Sequence, residues 1–232
     1  MANKTITQLD AAQSLNDNMV IAVQDTNTTY KTTLADVKAY CSSGGDAYAV
    51  GDRVTDDSDN PVGTVSSIFT DGNGDRYAVV CLDAVNRLAS GQVLSDHGAI
   101  SGIPRYQNTL VWTAPETATT NTTAILSTAS SGGYTSSACT HCRSKTFTID
   151  GVSYAGQLPN IIELVEIFMH RTVINTNDPT ASTYSSLIIP TSTTTWSSTQ
   201  YDSSYAWYIS GAAYYYNKYN NYFVVPVLEI PL

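Results

Sequence analysis

Apolar residues recur at helical spacing in the segment 158–173, LPNIIELVEIFMHRTV. The apolar positions fall on one broad face and predict a helix there: Leu158, Ile161, Ile162, Leu164, Val165, Ile167 and Phe168. Pro159 is tolerated near the first turn of such a helix, and Glu163 and Glu166 are expected on its solvent side. His170 then falls at the end of the helix, where a cation interacts favourably with the helix dipole.

Other segments show the β-branched and aromatic content that is typical of strands. Residues 62–69 and 76–82 predict two strands, and the turn at 71–75, DGNGD, joins them as a hairpin. The last predicted strand covers residues 223–230, FVVPVLEI. Pro226 indicates an edge or bulge position in that strand, because proline has no N–H to donate to a sheet.

Two regions rich in Thr and Ser lie between these elements. In residues 119–129 a weaker apolar rhythm predicts a helix, and a Gly-Gly break follows at 132–133. Residues 172–198 are polar and are predicted to form a loop.

Residues 1–46 have the pattern of a separate unit. Residues 19–25 and 28–32 predict a pair of short strands, and residues 33–40 predict a short helix. These elements are too few to enclose a core, so we expect them to pack against other copies of the chain or against a partner. A flexible Ser-Ser-Gly-Gly joint leads to the second domain, residues 47–232, whose mixture of strands and helices predicts an α+β fold.

Composition narrows the class of partner. The chain has 232 residues, a formal net charge of −9 and only 13% charged residues. Nucleic acid is not an expected partner, because phosphate contacts need a basic face. Membrane insertion is not expected, because no run approaches about 18 apolar residues. The opening MANKTITQLD lacks the features of a secretory signal. We therefore expect a protein that stays in the cytoplasm where it is made, or leaves it by another route, such as release of phage by lysis.

Cysteine and histidine give only weak signals of metal or redox chemistry. Cys139 and Cys142 form a CxxC motif with His141 inside it. The other candidate ligands stand alone in the sequence: Cys41, Cys81, His97 and His170. A single CxxC pair does not make a zinc site, so no metal and no cofactor are predicted. The simpler interpretation is packed or semi-exposed thiols in a loop.

Two other sites are considered and not predicted. The turn at 71–75 has the acidic spacing that opens a calcium loop, but Arg76 and Leu82 occupy positions where an EF-hand needs Gly and Glu. The histidines show no Ser-His-Asp arrangement, and no set of titratable groups converges in the sequence. The chain is therefore not expected to be an enzyme.

The segment 196–224 is the most unusual part of the chain. It reads WSSTQYDSSYAWYISGAAYYYNKYNNYFV and contains eight of the sixteen tyrosines, with Asp202 and Lys218 as its only charged residues. Tyr mixed with Ser, Gly and Asn is typical of antibody paratopes, because Tyr gives a large and rigid contact area. The composition predicts a recognition surface, although aromatic packing at a subunit interface is the alternative.

Several segments together resemble a bacterial and phage branch of the C-type lectin-like fold. They are residues 158–164 (LPNIIEL), 196–209 (WSSTQYDSSYAWYI), 222–227 (YFVVPV) and the hairpin sequence 61–84. The resemblance covers about residues 47–232, and within this branch the tyrosine-rich segment resembles the variable proteins of phage diversity-generating retroelements, the group of the major tropism determinant. In that family a reverse transcriptase system substitutes bases at adenines, so that Asn codons become Tyr, Ser, Asp, Ala or Gly codons.

The resemblance implies which positions bind ligand and which form the scaffold. The implied variable, ligand-binding positions are Ser203, Ser204, Tyr205, Tyr208, Ser210, Ala212, Tyr214, Tyr215, Tyr216, Asn217, Tyr219, Asn220, Asn221 and Tyr222. The implied scaffold residues are Trp196, Trp207, Val224 and Pro226. One departure is Val225, where related sequences often have Arg.

The N-terminal unit resembles the opening of many phage tail-fibre and virion proteins, where such segments lie at trimer or attachment interfaces. The resemblance implies a receptor-binding protein at the tip of a phage tail fibre, made in the bacterial cytoplasm and carried on the virion. Its implied partners are a host cell-surface receptor, protein or glycan, and other tail proteins, and it is implied to be a homotrimer. The alternative is a bacterial surface adhesin of the same fold, which should carry a secretion signal. Formylglycine-generating oxidases share the fold, but they need a dedicated cysteine pair that the chain does not show.

Overall fold

The computed structural model describes residues 20–24, 29–33, 48–71, 74–92, 94, 117–132, 135–189 and 194–232. The chain divides into two units, Met1–Ala47 and Tyr48–Leu232. In the first unit, strands β1 (Val20–Gln24) and β2 (Thr29–Thr33) pair antiparallel, which confirms the two short strands predicted there. The helix predicted at 33–40 lies, beyond Thr33, outside the described residues.

The first sheet of the second unit is four-stranded and antiparallel. Its strands are β3 (Arg53–Thr55), β4 (Pro61–Thr70), β5 (Arg76–Leu82) and β13 (Val227–Pro231), in the spatial order β13-β5-β4-β3. The predicted hairpin at 62–82 is confirmed by β4 and β5. The central strand β5 is apolar on both faces, because alternate residues pack into different hydrophobic clusters. Val79 and Cys81 belong to one cluster, and Val80 and Leu82 belong to the other.

The second sheet is five-stranded and contains the tyrosine-rich segment. Its strands are β6 (Leu88–Gln92), β9 (Thr195–Gln200), β10 (Tyr205–Ile209), β11 (Ala213–Asn217) and β12 (Tyr222–Val224). Their spatial order is β11-β10-β9-β12-β6, and all neighbours are antiparallel except β9 and β12, which are parallel. Every residue of β9 is buried, so β9 is the central strand in packing as well as in order.

The chain passes from one sheet to the other at Val225 and Pro226. The prediction of a single strand over 223–230 is therefore wrong. Phe223 pairs with Thr195 in the five-stranded sheet, whereas Val227 pairs with Cys81 in the four-stranded sheet. Pro226 lies in the break, where its missing N–H leaves no gap in a ladder and its carbonyl still accepts a hydrogen bond.

Four helices accompany the sheets in the described part of the chain: α1 (Ala118–Gly132), α2 (Ser137–Arg143), α3 (Ile161–Met169) and α4 (Arg171–Asn177). The helix predicted at 119–129 is confirmed by α1. The helix predicted at 158–173 is confirmed in its middle, but it begins later and is interrupted at His170. Asn160 sets its start, because the Asn160 side chain accepts hydrogen bonds from the N–H groups of Ile162 and Glu163.

Glu163 is fully buried, so its predicted position on the solvent side is wrong. Its carboxylate completes the capping box by accepting the Asn160 N–H at 2.9 Å. Tyr77 donates its hydroxyl to the same carboxylate at 3.3 Å. Burial, together with the neighbouring Glu229 carboxylate, raises the pKa of Glu163 well above its ordinary value.

Two further elements differ from the prediction. The region 172–198, predicted as a loop, contains most of α4, a 3-10 turn at Ser185–Leu187 and the start of β9. A hairpin that was not predicted joins β7 (Thr146–Ile149) to β8 (Val152–Ala155). Asp150 and Gly151 both have positive φ in its turn, which is the conformation that an Asp-Gly pair favours between antiparallel strands.

Helices and sheets share one unit, so the second unit is α+β as predicted. The larger core lies where α3 packs against both sheets. Leu164 and Ile167 of α3 contact a cluster that includes Val227 of one sheet and Ile209 and Phe223 of the other. Among the described residues, no helix combines the length and the apolar character that crossing a membrane requires.

Candidate binding surface

The hairpin of β10 and β11 lies at one edge of the five-stranded sheet. The two strands pair antiparallel, with Trp207 opposite Tyr215 and Tyr208 opposite Tyr214. A tight turn joins them, in which Gly211 has a φ of 74° that favours glycine, and the Ser210 N–H donates to the Ala212 carbonyl at 2.9 Å. The aromatic residues that fill both strands have high strand propensity, which explains why this uncharged segment forms a sheet edge.

Strand geometry places the tyrosines of β11 on opposite faces of the hairpin. Successive side chains of a strand point to opposite sides of its sheet. Tyr214 and Tyr216 therefore share one face, and Tyr215 lies on the other. Ring contacts agree with this division, because Tyr214 contacts Tyr208 whereas Tyr215 contacts Trp207.

The first aromatic group, here called the Trp196 group, consists of Trp196, Tyr208, Tyr214 and Tyr222. Ring centroids lie 4.4 Å apart for Trp196 and Tyr222, 5.1 Å for Tyr208 and Tyr222, and 5.8 Å for Tyr208 and Tyr214. Trp196 is fully buried in a cluster with residues of α1 and α2. Partial burial, with the neighbouring Tyr208 and Tyr216 hydroxyls, raises the pKa of Tyr222 to about 12. Its phenol is therefore neutral at physiological pH.

The second aromatic group, here called the Trp207 group, consists of Tyr201, Tyr205, Trp207 and Tyr215. The rings of Tyr201 and Tyr215 stack with centroids 3.7 Å apart and an interplanar angle of 4°. Both rings also meet buried Trp207 edge-on, at 5.5 and 5.6 Å. A hydrogen bond with Tyr215 raises the pKa of the Tyr201 hydroxyl. Tyr201 is thus part of the surface although it is not among the predicted positions.

Lys218 anchors the bend between β9 and β10. The one sequence signal for this role is that Lys218 is the single cation of residues 196–224. Its side chain is buried, and Nζ donates to Oε1 of Gln200 and to the main-chain oxygens of Asp202 and Ser203, the last two at 3.0 and 3.1 Å. The Lys218 N–H also donates to the Ser204 carbonyl. A buried ammonium group is stable only with such oxygen partners, so Lys218 fixes this bend to the end of β11.

The Asp202 carboxylate makes hydrogen bonds within the same bend. One carboxylate oxygen accepts the N–H groups of Ser204 and Tyr205 at 2.7 and 2.8 Å, which is the pattern of an Asx turn. The anion and the cation of the segment therefore both make intramolecular hydrogen bonds to the loop. Apart from the half-exposed Asp202 carboxylate, the surface that the tyrosines present carries hydroxyl and amide groups.

The turn between β11 and β12 is held by amide side chains and by a tryptophan. Oδ1 of Asn217 accepts the Tyr219 N–H at 3.0 Å, and Nδ2 of Asn220 donates to the Asn217 carbonyl at 2.9 Å. The indole N–H of Trp196 donates to the Asn220 carbonyl at 3.1 Å. The turn thus presents Tyr219, which is exposed, on a backbone that is fixed from below.

The fourteen predicted ligand-binding positions and the four predicted scaffold positions differ sharply in burial. All four scaffold residues are buried: Trp196, Trp207, Val224 and Pro226. None of the fourteen ligand-binding positions is buried. Eight of them are exposed, namely Ser204, Tyr205, Ala212, Tyr214, Tyr215, Tyr216, Tyr219 and Asn221. Six are half-buried, namely Ser203, Tyr208, Ser210, Asn217, Asn220 and Tyr222.

The other candidate residues from the sequence lie away from this surface or outside the described residues. Cys139 and Cys142 are buried in α2 and not in a loop, and burial raises the pKa of Cys139 to about 12 and that of Cys142 well above its ordinary value. Nε2 of His141 donates a hydrogen bond to the Asn86 carbonyl at 2.9 Å, and burial lowers the pKa of His141. His170 caps α3 and contacts Glu166. Cys41 and His97 are not in the described part of the chain.

Within the described ranges no three His, Cys, Asp or Glu side chains are grouped as metal ligands. The turn at 71–75 is closed by Asp71, whose carboxylate accepts the Asp75 N–H at 3.0 Å. Comparisons with protein-family models, with curated proteins and with solved structures find no match to this chain.

Proposed function

We propose that the chain is a receptor-binding protein of a phage tail, whose second unit is a C-type lectin-like variable domain that binds a host cell-surface ligand through the β10–β11 hairpin and the turn that follows it. The observation that carries the proposal is the burial pattern of residues 196–226. Positions at which the side chain is to vary must lie outside the core, and positions that hold the backbone must lie inside it. None of the fourteen predicted ligand-binding residues is buried, and all four predicted scaffold residues are buried.

Energetics support the same proposal. The backbone under the surface is held by three buried residues, Trp196, Trp207 and Lys218. The exposed tyrosines are not needed for these contacts. Exposed side chains on a fixed backbone can change with little effect on folding, since surface substitutions usually alter stability by less than about 0.5 kcal/mol. Tyr and Trp side chains give a large contact area with few rotatable bonds, which favours binding.

A binding experiment with a matched control tests the proposal. The variant Tyr214→Ala/Tyr215→Ala/Tyr216→Ala/Tyr219→Ala removes four exposed rings of the surface. The control Val50→Ala/Val85→Ala/Val152→Ala/Met169→Ala removes four exposed apolar side chains elsewhere in the same unit. Labelled wild-type protein is screened by flow cytometry against a panel of bacterial strains, and both variants are compared on a strain that it stains.

We expect the tyrosine variant to lose staining while it keeps its thermal unfolding midpoint within a few degrees, and the control to stain as the wild type does. Staining by the tyrosine variant at the wild-type level would contradict the proposal. Loss of the native oligomer in the tyrosine variant, measured by sedimentation, would instead indicate aromatic packing between subunits.

Diversification and assembly are tested separately. Genomic sequence around the coding region should contain a near-identical copy of the segment for residues 196–224 that differs at adenines, together with a reverse transcriptase gene.

We also propose that residues 1–46 attach the protein to the virion and form a homotrimer. Deleting residues 1–40 should lower the number of chains per particle measured by sedimentation, and an unchanged number of chains would exclude this role in assembly.

A further inference from the structure

We propose that the β10–β11 hairpin inserts into an uncharged cleft of a host surface protein and is contacted on both of its faces. This inference rests on the proposed receptor-binding function and names the kind of partner. It differs from a surface that meets its ligand from one side, because it requires both aromatic groups to be buried in the complex.

The two faces of the hairpin are exposed to a similar extent. On the face of the Trp196 group, Tyr214 and Tyr216 are 51% and 50% exposed. On the face of the Trp207 group, Tyr215 and Tyr205 are 45% and 38% exposed. Toward β9 and β12 the same sheet is covered, by α1 and α2 on one side and by α3 on the other. In the described part of the chain, only the end of the sheet at β10 and β11 presents large aromatic residues on both sides.

The chemistry of the cleft follows from the charges of the hairpin and its flanking loops. Only one charged group of this region reaches solvent, the half-exposed Asp202 carboxylate, and it already accepts two main-chain N–H groups, whereas the Lys218 ammonium group is buried among oxygens. The tyrosine pKa values that shift in this region, those of Tyr201, Tyr208 and Tyr222, all move upward, so these phenols stay neutral. A partner that matches this surface offers apolar and uncharged polar groups, because an unpaired charge buried against it would be costly.

The thickness of the hairpin favours a protein as the partner. Layers that pack against the two faces of a sheet each lie about 10 Å from its backbone, so the two walls of the cleft stand roughly 20 Å apart. A single sugar residue can contact one face of the hairpin but cannot reach both. A folded protein with a groove between two walls can contact both.

The test compares one variant for each face. The variant Tyr214→Thr/Tyr216→Thr alters the face of the Trp196 group, and Tyr205→Thr/Tyr215→Thr alters the face of the Trp207 group. Threonine keeps the strand propensity and adds no charge. Half-saturating concentrations are measured on cells of a strain that the wild-type protein stains, and folding is checked by thermal unfolding.

We expect each pair of substitutions to raise the half-saturating concentration at least tenfold. An effect of one pair alone would overturn the two-faced contact and leave the proposed function standing, whereas no effect of either pair would overturn both. The single variants Tyr205→Thr and Tyr214→Thr are measured alongside, so that the comparison holds if a double variant unfolds. Each single variant is then expected to raise the half-saturating concentration at least threefold, and the same outcomes apply.

Two treatments of the same cells test the chemistry of the partner. Protease treatment should abolish staining and mild periodate oxidation should leave it, and the opposite result would overturn the assignment to a protein. Raising the salt concentration from about 0.05 M to about 0.5 M should change the half-saturating concentration less than threefold, because screening weakens contacts between charges. A change of tenfold or more would overturn the uncharged cleft.

Discussion

The ammonium group of Lys218 donates a hydrogen bond to the side-chain oxygen of Gln200 inside the second unit, where both residues are fully buried. This contact joins the end of β11 to the end of β9 across the bend that leads into β10. The same ammonium group binds two main-chain oxygens of that bend. The shape of the tyrosine surface therefore depends on one buried cation that is not itself part of the surface.

Replacing Lys218 should destabilise the unit and loosen the bend. In Lys218→Met, the oxygens of Gln200, Asp202 and Ser203 lose a buried donor, and an unsatisfied buried polar group costs about 1–3 kcal/mol. Water can replace part of the lost hydrogen bonding, so the cost is smaller than the sum over the three oxygens. We expect the free energy of unfolding, measured with urea, to fall by about 2–4 kcal/mol. Lys145→Met is the matched control, since Lys145 is half-buried and makes none of these contacts. Equal effects of the two variants would contradict the anchoring role.

The buried carboxyl group of Glu163 should make stability depend on pH. The unfolded chain releases this proton near pH 4.3, whereas the folded chain retains it to higher pH because the pKa of Glu163 is raised. The folded state therefore binds more protons in this interval, and the free energy of unfolding should fall as the pH rises from about 4.3 toward neutral, by up to about 1.4 kcal/mol per pH unit.

The variant Glu163→Gln isolates this contribution. Glutamine can still accept the Asn160 N–H and carries no proton to lose, so the fall in stability with pH should become smaller. Glu166→Gln is the control, because Glu166 is half-exposed on the same helix. The free energy of unfolding is measured by urea denaturation between about pH 4 and 8. Parallel pH profiles for wild type and Glu163→Gln would exclude Glu163 as the cause.

Local patterns in the sequence were sufficient to predict the elements whose partners are near in the chain. The hairpin of β4 and β5 and the helix α1 are of this kind, since periodicity and turn residues determine them. The split of 223–230 into two strands was not predictable in this way. Phe223 and Val227 are four residues apart, yet their partners Thr195 and Cys81 belong to different sheets, and no local signal records which sheet a strand joins.

For the candidate surface too, local sequence patterns did not predict contacts that depend on strand pairing. The composition of residues 196–224 predicted exposed tyrosines, and the structure exposes five of the eight and half-buries Tyr201, Tyr208 and Tyr222. It did not indicate that Tyr215 faces away from Tyr214 and Tyr216, because the strand β11 was not recognised as a strand. Tyr201 was missed for a related reason. Its place in the Trp207 group depends on a stacking contact with a residue fourteen positions later, which only the hairpin brings near.

The thiols of Cys139 and Cys142 should be unreactive in the folded protein. Both are fully buried, and the raised pKa of Cys139, about 12, leaves almost no thiolate at pH 8. In a Cys41→Ser background, iodoacetamide at pH 8 should label these two cysteines at least a hundredfold more slowly in buffer than in concentrated urea. Peptide mass spectrometry reports each site. Rapid labelling of either site in buffer would show that α2 opens readily.

The final prediction separates two asparagines that the sequence placed in the same class. Asn217 and Asn221 were both implied to be variable, but Oδ1 of Asn217 accepts the Tyr219 N–H and closes the turn. Asn217→Ala should lower the free energy of unfolding by about 0.5–1.5 kcal/mol, the usual net contribution of one hydrogen bond. Asn221→Ala, at an exposed position in the same turn, should change it by less than about 0.5 kcal/mol. Urea denaturation of both variants measures the difference. If the two variants match, the bond from the Tyr219 N–H to Asn217 does not hold the turn, and the side chain of Asn217 is as free to vary as that of its neighbour.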